Sequence, residues 1–131
     1  HFNKGRAVKV EARAGGTFLK KQLSMDVGAA RLGEFSLTDK RFSKIDCFMA
    51  NTLFDENHGG KFGNCHVALG SSYTEAFDGD KAKLTKRLKA RIGFNDSALH
   101  WDLVNTEKKQ VTAHLKGGKT KVIYENGLFS I

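Results

Sequence analysis

Two histidines, one of them two residues from an aspartate, are the side chains in this 131-residue sequence best suited to do chemistry. In His100-Trp101-Asp102, residues two apart project from one face of a strand, so His100 and Asp102 address a common site while Trp101 faces the other way. Imidazole nitrogen and carboxylate oxygen are donors that a zinc-like ion accepts at roughly 2.0–2.2 Å, and a catalytic centre keeps one position open for water. The tripeptide alone is weakly specific, because this spacing arises by chance in many proteins. His66 adds to it. It stands just before Val67-Ala68-Leu69, a short apolar run stopping at Gly70 as a buried strand entering a loop would. Gly59-Gly60 and Gly63 let the chain turn sharply before it and present the imidazole from a rigid strand end. His58, in the same glycine-rich stretch, reads as a solvent-exposed loop histidine.

The elements that must position these groups are short. Arg6 to Arg13 alternates as a strand, Gly15-Gly16 turns it, and Thr17 begins a helix carrying Phe18, Leu19 and Leu23. Phe35 to Leu37 reads as a strand, Phe48 to Phe54 as a packed apolar segment of ambiguous period, and Val67 to Leu69 as a buried strand. Leu99 to Val104, Gln110 to Leu115, Lys119 to Tyr124 and Leu128 to Ile131 form a β-meander, separated by polar or glycine turns such as Asn126-Gly127. His114 within it is an ordinary strand residue. The fold class expected is α+β: a strand-rich domain with a curved mixed or antiparallel sheet and a few short helices.

Four motifs occur in order: Ala30-Arg31-Leu32-Gly33-Glu34, Asn51-Thr52-Leu53-Phe54-Asp55-Glu56-Asn57, Cys65-His66-Val67-Ala68-Leu69-Gly70 with Tyr73, and Asn95-Asp96-Ser97 with His100 and Asp102. In these, and in the closing Glu125-Asn126-Gly127, the chain resembles the C-terminal catalytic part of the thermophilic-type metallo-aminopeptidases, the aminopeptidase T, aminopeptidase S and PepS type. The resemblance implies a two-metal exopeptidase that removes the N-terminal residue of a peptide, with Glu34, His66, His100 and Asp102 at the family's metal-binding positions. Two ions about 3.5–4 Å apart can activate a shared water and polarise the scissile carbonyl. Tyr73 matches a tyrosine held close to the metals, either a weak ligand or a hydrogen-bond donor to the developing oxyanion. Asp55-Glu56-Asn57 supplies turn chemistry or, by the resemblance, carboxylates orienting a histidine. The resemblance also implies a homodimer, and its ligand types suit zinc, cobalt, manganese or magnesium.

One departure from the family pattern stands out. The family carries another glutamate ligand upstream of Gly-Glu, behind a large N-terminal domain, and neither is found here. Glu11 alternates within its strand as a solvent-facing side chain and does not replace that ligand. The sequence opens on His1 rather than methionine, as a tag remnant would. The expectation is therefore a catalytic domain spanning residues 1–131, excised from a larger enzyme and poor at binding metal alone.

Bulk properties point to one soluble domain with one core. The sequence contains no apolar run approaching the ~20 residues of a membrane span and no apolar signal segment, which makes a cytoplasmic location the default expectation. Cys47 and Cys65 fall in no Cys-x-x-Cys pair, so both are expected reduced and partly buried. The net charge of +8 is local: six cations between Lys81 and Arg91, with no acid among them, leave +2 for the rest. Leu84, Leu88 and Ile92 give that stretch the pattern of an amphipathic helix with a basic face. A solvated face is the plainer reading of it, and a phosphate-binding patch the alternative. There is no internal repeat, Walker loop, Gly-x-Ser-x-Gly elbow or His-Glu-x-x-His helix. Three functions thus compete: a metallo-aminopeptidase acting on peptides, a nucleic-acid-binding domain using Lys81 to Arg91, and an interaction module that has lost its catalysis. A shared site of Glu34, His66, Tyr73, His100 and Asp102 would favour the first, and salt-sensitive binding to generic DNA or RNA the second.

Overall fold

A computed structural model describes residues 1–130 of the chain. Its elements run β1 (Phe2–Asn3), β2 (Arg6–Ala7), α1 (Gly16–Leu23), β3 (Leu32–Thr38), α2 (Thr52–Asp55), β4 (Asn64–Gly70), α3 (Lys86–Ile92), β5 (His100–Asn105), β6 (Gln110–His114), β7 (Thr120–Glu125) and β8 (Leu128–Phe129). They form three small sheets, β1-β2, β3-β4-β5 and β6-β7-β8, and the fold class is α+β. Where the sequence suggests one core, the chain divides into two compact units, His1–Phe35 with Val67–Asp102 and Ser36–His66 with Leu103–Ile131. Each unit is built from separate stretches of chain, an interleaving that local sequence patterns do not reveal.

In the first unit the buried apolar side chains are small or aliphatic: Ala29, Ala30, Ala68, Leu69 and Leu99. The helix after Gly15-Gly16 forms as expected, and its Phe18 meets the Trp101 ring edge-on at 5.7 Å. The expected strand from Arg6 to Arg13 shrinks to Arg6–Ala7. Beyond it Val8 is exposed, so alternation alone did not supply the partner that a strand's main chain requires. The basic stretch is likewise not one helix. A 3₁₀ turn at Lys81–Lys83 is followed by α3, whose first turn is capped by Thr85 Oγ accepting from Leu88 N.

In the second unit β6, β7 and β8 form an antiparallel sheet, joined at Asn126-Gly127, where both residues hold positive φ, 52° and 82°, as a tight hairpin turn demands. The expected four-strand meander keeps only these three strands, because β5 belongs to the sheet of β3 and β4. Ile131, placed in the last strand by the sequence, lies outside the described residues. Phe48 to Phe54 is not packed: Phe48, Met49, Leu53 and Phe54 are all exposed, and the segment holds only the single turn of α2. Cys47 is exposed rather than partly buried, while Cys65 is half-buried, and both are free thiols. Tyr124 is fully buried and donates its hydroxyl to the Thr38 carbonyl at 2.8 Å.

Candidate metal centre

His100 opens β5, and its Nδ1 lies 2.8 Å from the Ser71 carbonyl oxygen. A carbonyl only accepts, so Nδ1 is the nitrogen that donates there, which leaves Nε2 to face the two acids. That Nε2 is buried and makes no hydrogen bond. Oε2 of Glu34 stands 3.5 Å from it and Oδ1 of Asp102 3.4 Å from it. Donor atoms of the three residues all lie within 4.8 Å of one another. Electron-rich atoms gathered this closely repel unless a cation or proton sits among them. One imidazole and two carboxylates are also the donors a divalent ion accepts, so the residues present fit a metal.

The supports are local and concrete. Glu34 sits on β3 directly after Gly33, where any Cβ would collide with the Gly70 carbonyl oxygen and stand 2.6 Å from that of Ser71. Glycine there lets the backbone that holds the His100 ring lie close to the strand carrying Glu34. Trp101 points away towards Phe18, as strand alternation requires. Tyr73 is half exposed, and its ring lies 4.4 Å from that of His100. The approach to β5 is tied down by Asn95, whose Nδ2 donates to the Gly28 and Gly70 carbonyls at 2.9 and 2.6 Å. Asp26 accepts from Gly28 N, Ala29 N, Ala98 N and Ser97 Oγ. The Ala98 backbone donor is the largest influence lowering the Asp26 carboxyl below its ordinary value.

The structure thus brings Glu34, Tyr73, His100 and Asp102 together within the first unit. His66 belongs to the second unit, where it is buried on β4 with Nδ1 3.0 Å from the main-chain oxygen of Glu56. By the same logic its Nε2 is the nitrogen that can coordinate. The Glu56 carbonyl is one orienting group, and a carboxylate oxygen of Glu56 also lies within 4.8 Å of a ring nitrogen of His66. Asp55 does supply turn chemistry, accepting from Met49 N and Asn51 N. His58 is not the exposed loop residue expected: it is buried and stacks on Phe48 at 4.9 Å. Sequence reasoning missed the Ser71 carbonyl, which no side-chain pattern announces. It also missed Asp26, although Asp-x-Gly is a turn signature in which the carboxylate accepts from nearby main chain.

Half of the basic stretch is neutralised locally. Lys81 pairs with Glu75 at 2.9 Å, Lys83 with Asp80 at 3.6 Å and Lys89 with Asp96 at 2.6 Å. These pairs offset part of the charge of the stretch, and Lys86, Arg87 and Arg91 are its remaining cations.

A buried imidazole nitrogen 3.5 and 3.4 Å from two carboxylate oxygens is a donor set of the kind that metal-binding proteins use. Comparison with known proteins narrows the class. The profile of the thermophilic metalloprotease (M29) family matches residues 1–129, and the chain belongs to that family. Aminopeptidase 2 of Geobacillus stearothermophilus is 35% identical over 129 residues, covering 96% of this chain and 30% of the relative. Aminopeptidase T of Thermus aquaticus is 35% identical over 133 residues, covering 99% and 31%. The solved structure of wild-type AmpT from Thermus thermophilus matches 99% of this chain and 31% of that one, with a TM-score of 0.78 and 30% identity. The chain spans about 30% of the length of the curated relatives it matches. Among the described residues, no helix is long and apolar enough to cross a membrane.

Proposed function

We infer that this chain is the metal-binding catalytic part of an aminopeptidase, which removes the N-terminal residue of a peptide. The observation that carries the reading is the convergence of Glu34 and Asp102 on a His100 Nε2 whose partner nitrogen is already spent on Ser71. Its setting is a chain related along nearly its whole length to enzymes named aminopeptidases. By the resemblance, Glu34, His66, His100 and Asp102 are the residues that would hold two divalent ions, of zinc, cobalt, manganese or magnesium. Such ions supply Lewis acidity, acidifying water for attack and polarising the scissile carbonyl. In the first unit the Ser71 carbonyl would hold the His100 ring in one orientation, and in the second the Glu56 carbonyl would do the same for His66. Tyr73 donates to the carbonyl oxygen as negative charge develops on it. By the resemblance, a further glutamate upstream of Gly33-Glu34 would complete the set in the family. Homodimer formation rests on the resemblance alone.

The test measures bound metal by mass spectrometry and release of N-terminal residues by the protein encoded by the complete reading frame. His100→Ala and Glu34→Ala are each expected to lower kcat/KM by more than about 100-fold, beyond the cost of losing an outer partner, and to lower the metal content. Activity that survives both substitutions overturns the assignment.

A further inference from the structure

Two clefts in the first unit are lined by cations that the candidate metal centre does not use. One, of about 310 Å³, is formed by Lys83, Thr85, Arg87, Leu88 and Arg91. The other, of about 470 Å³, lies along the neighbouring face of α3 at Ala90 and Gly93, and its lining includes Lys4 and Arg31. Among the described residues, no acid lines either cleft. Arg87 and Arg91 are four apart, so they leave α3 from one face about 6 Å apart along its axis. Among the described residues, Lys4, Arg31, Arg87 and Arg91 enter no ion pair. Lys83 faces Asp80 at 3.6 Å, but both side chains are more than half exposed, and a pair of that kind holds weakly. Thr85 Oγ already accepts from Leu88 N at 3.3 Å, which leaves its hydroxyl proton to donate to an anion.

Cations left unpaired on a folded surface repel one another, and a polyanion relieves that repulsion while releasing its own condensed counterions. The chemistry here selects which polyanion. Two guanidiniums present planar forks that match phosphate oxygens in pairs, and a hydroxyl beside them adds a donor. Leu88 is the one apolar residue in the smaller cleft, too little to enter lipid. Clefts of this size take the phosphates of a strand and not the width of a duplex. We propose that the cations flanking α3 form a binding site for the backbone of single-stranded nucleic acid, with Lys83, Arg87 and Arg91 each on a phosphate and Lys4 and Arg31 extending the track. The base edges are not read, so the binding is independent of sequence. None of these side chains belongs to the metal cluster, and the site stands apart from the aminopeptidase reading.

The test measures fluorescence anisotropy of a labelled oligothymidine of about 12 nucleotides with the protein from the complete reading frame, between about 50 and 200 mM salt. Log affinity is expected to fall against log salt with a slope near −2 or steeper, about −0.7 for each of three or more phosphates. Arg87→Gln combined with Arg91→Gln alters two exposed side chains and so leaves folding intact. It is expected to weaken binding and to make the slope shallower by about 1.4. Lys119→Gln combined with Lys121→Gln removes the same charge from exposed positions in the second unit and is expected to leave the slope unchanged. Oligoglutamate of equal length should compete poorly, because carboxylates spaced along a peptide do not reproduce a phosphate backbone. No binding at the lowest salt, or an equal loss in the two paired variants, overturns the proposal, since the charge would then act without a site. Competition by oligoglutamate as strong as by unlabelled oligothymidine overturns it in favour of an acidic protein partner.

Discussion

Asp39 in the second unit and Asp102 in the first are both nearly buried, with side chains 2% and 4% exposed, but they keep opposite company. Asp39 is met by donors. Nε and a terminal nitrogen of Arg41 reach it at 2.9 and 2.6 Å, and the main-chain nitrogens of Arg41 and Phe129 at 2.9 Å each. The Arg41 side-chain bonds are the largest influence holding this carboxyl well below the usual carboxylate range, against the opposing effect of burial. Asp102 instead faces the His100 Nε2, with Glu34 on the same nitrogen. A folded chain gains from the first arrangement at once. In the second, two carboxylates crowd one imidazole, an arrangement that a bound cation would relieve.

The largest way to break that contrast is through the backbone beneath the cluster. A Cβ at Gly33 would strike the Gly70 carbonyl and crowd that of Ser71, which orients His100. Gly33→Ala is therefore expected to cost about 1–3 kcal/mol of stability as an overpacked site. It should also weaken divalent-metal binding roughly 10–100-fold, as loss of a ligand's outer support does. Melting curves and metal titration on the same variant separate the two effects. Lowered melting with undiminished metal affinity would show that the Ser71 carbonyl does not set the ring.

Next in size is the same chemical change made in the two settings. Asp39→Asn removes the charge that Arg41 and two main-chain donors point at, and should cost about 1–3 kcal/mol, moderated because Arg41 is itself 54% exposed. Glu34→Gln removes one of two carboxylates with oxygens within 4.8 Å of each other. In metal-free protein it should leave stability unchanged or raise it, while metal affinity falls. Denaturant midpoints measured after chelation decide between them. Equal destabilisation at both positions would make the Glu34 cluster a structural network and erase the difference.

These settings were unequally legible in the sequence. Two-residue alternation placed His100 and Asp102 on one face with Trp101 opposite, and the structure agrees because that relation is fixed by the pleat of a single strand. The turn at Asn126-Gly127 was readable for a similar reason, since few residues tolerate its backbone angles. The second-unit core was not. Its buried His58, Asn64 and Asp39 are residue types usually found at the surface, and what lets them be buried is hydrogen bonding or stacking set by the fold. Asn64, for example, donates to the carbonyls of Glu56 and His58 at 2.8 Å each. The split of the meander was hidden too, because β5 and β6 look alike in sequence and only long-range pairing assigns them to different sheets. Side-chain identity pointed to the cluster of Glu34, His100 and Asp102, but the main-chain carbonyls beside the His100 and His66 rings have no sequence signature.

The smallest effect is the acid limb of stability, and its sign follows from Asp39. Its folded-state pKa lies below the unfolded value of about 3.9, so the unfolded chain binds more protons as the medium is acidified. The stabilisation is fully present above the unfolded value and is lost as pH falls through the folded one. Asp26, lowered by its main-chain and Ser97 donors, contributes in the same direction. Urea midpoints followed from about pH 5 downward should therefore fall in the wild type and fall less in Asp39→Asn. The two curves should draw together at the lowest pH, where Asp39 is protonated and no longer an ionised partner for Arg41. Parallel curves would mean that the Arg41 pair does not distinguish folded from unfolded chain, leaving the main-chain donors as the whole advantage of Asp39 over Asp102.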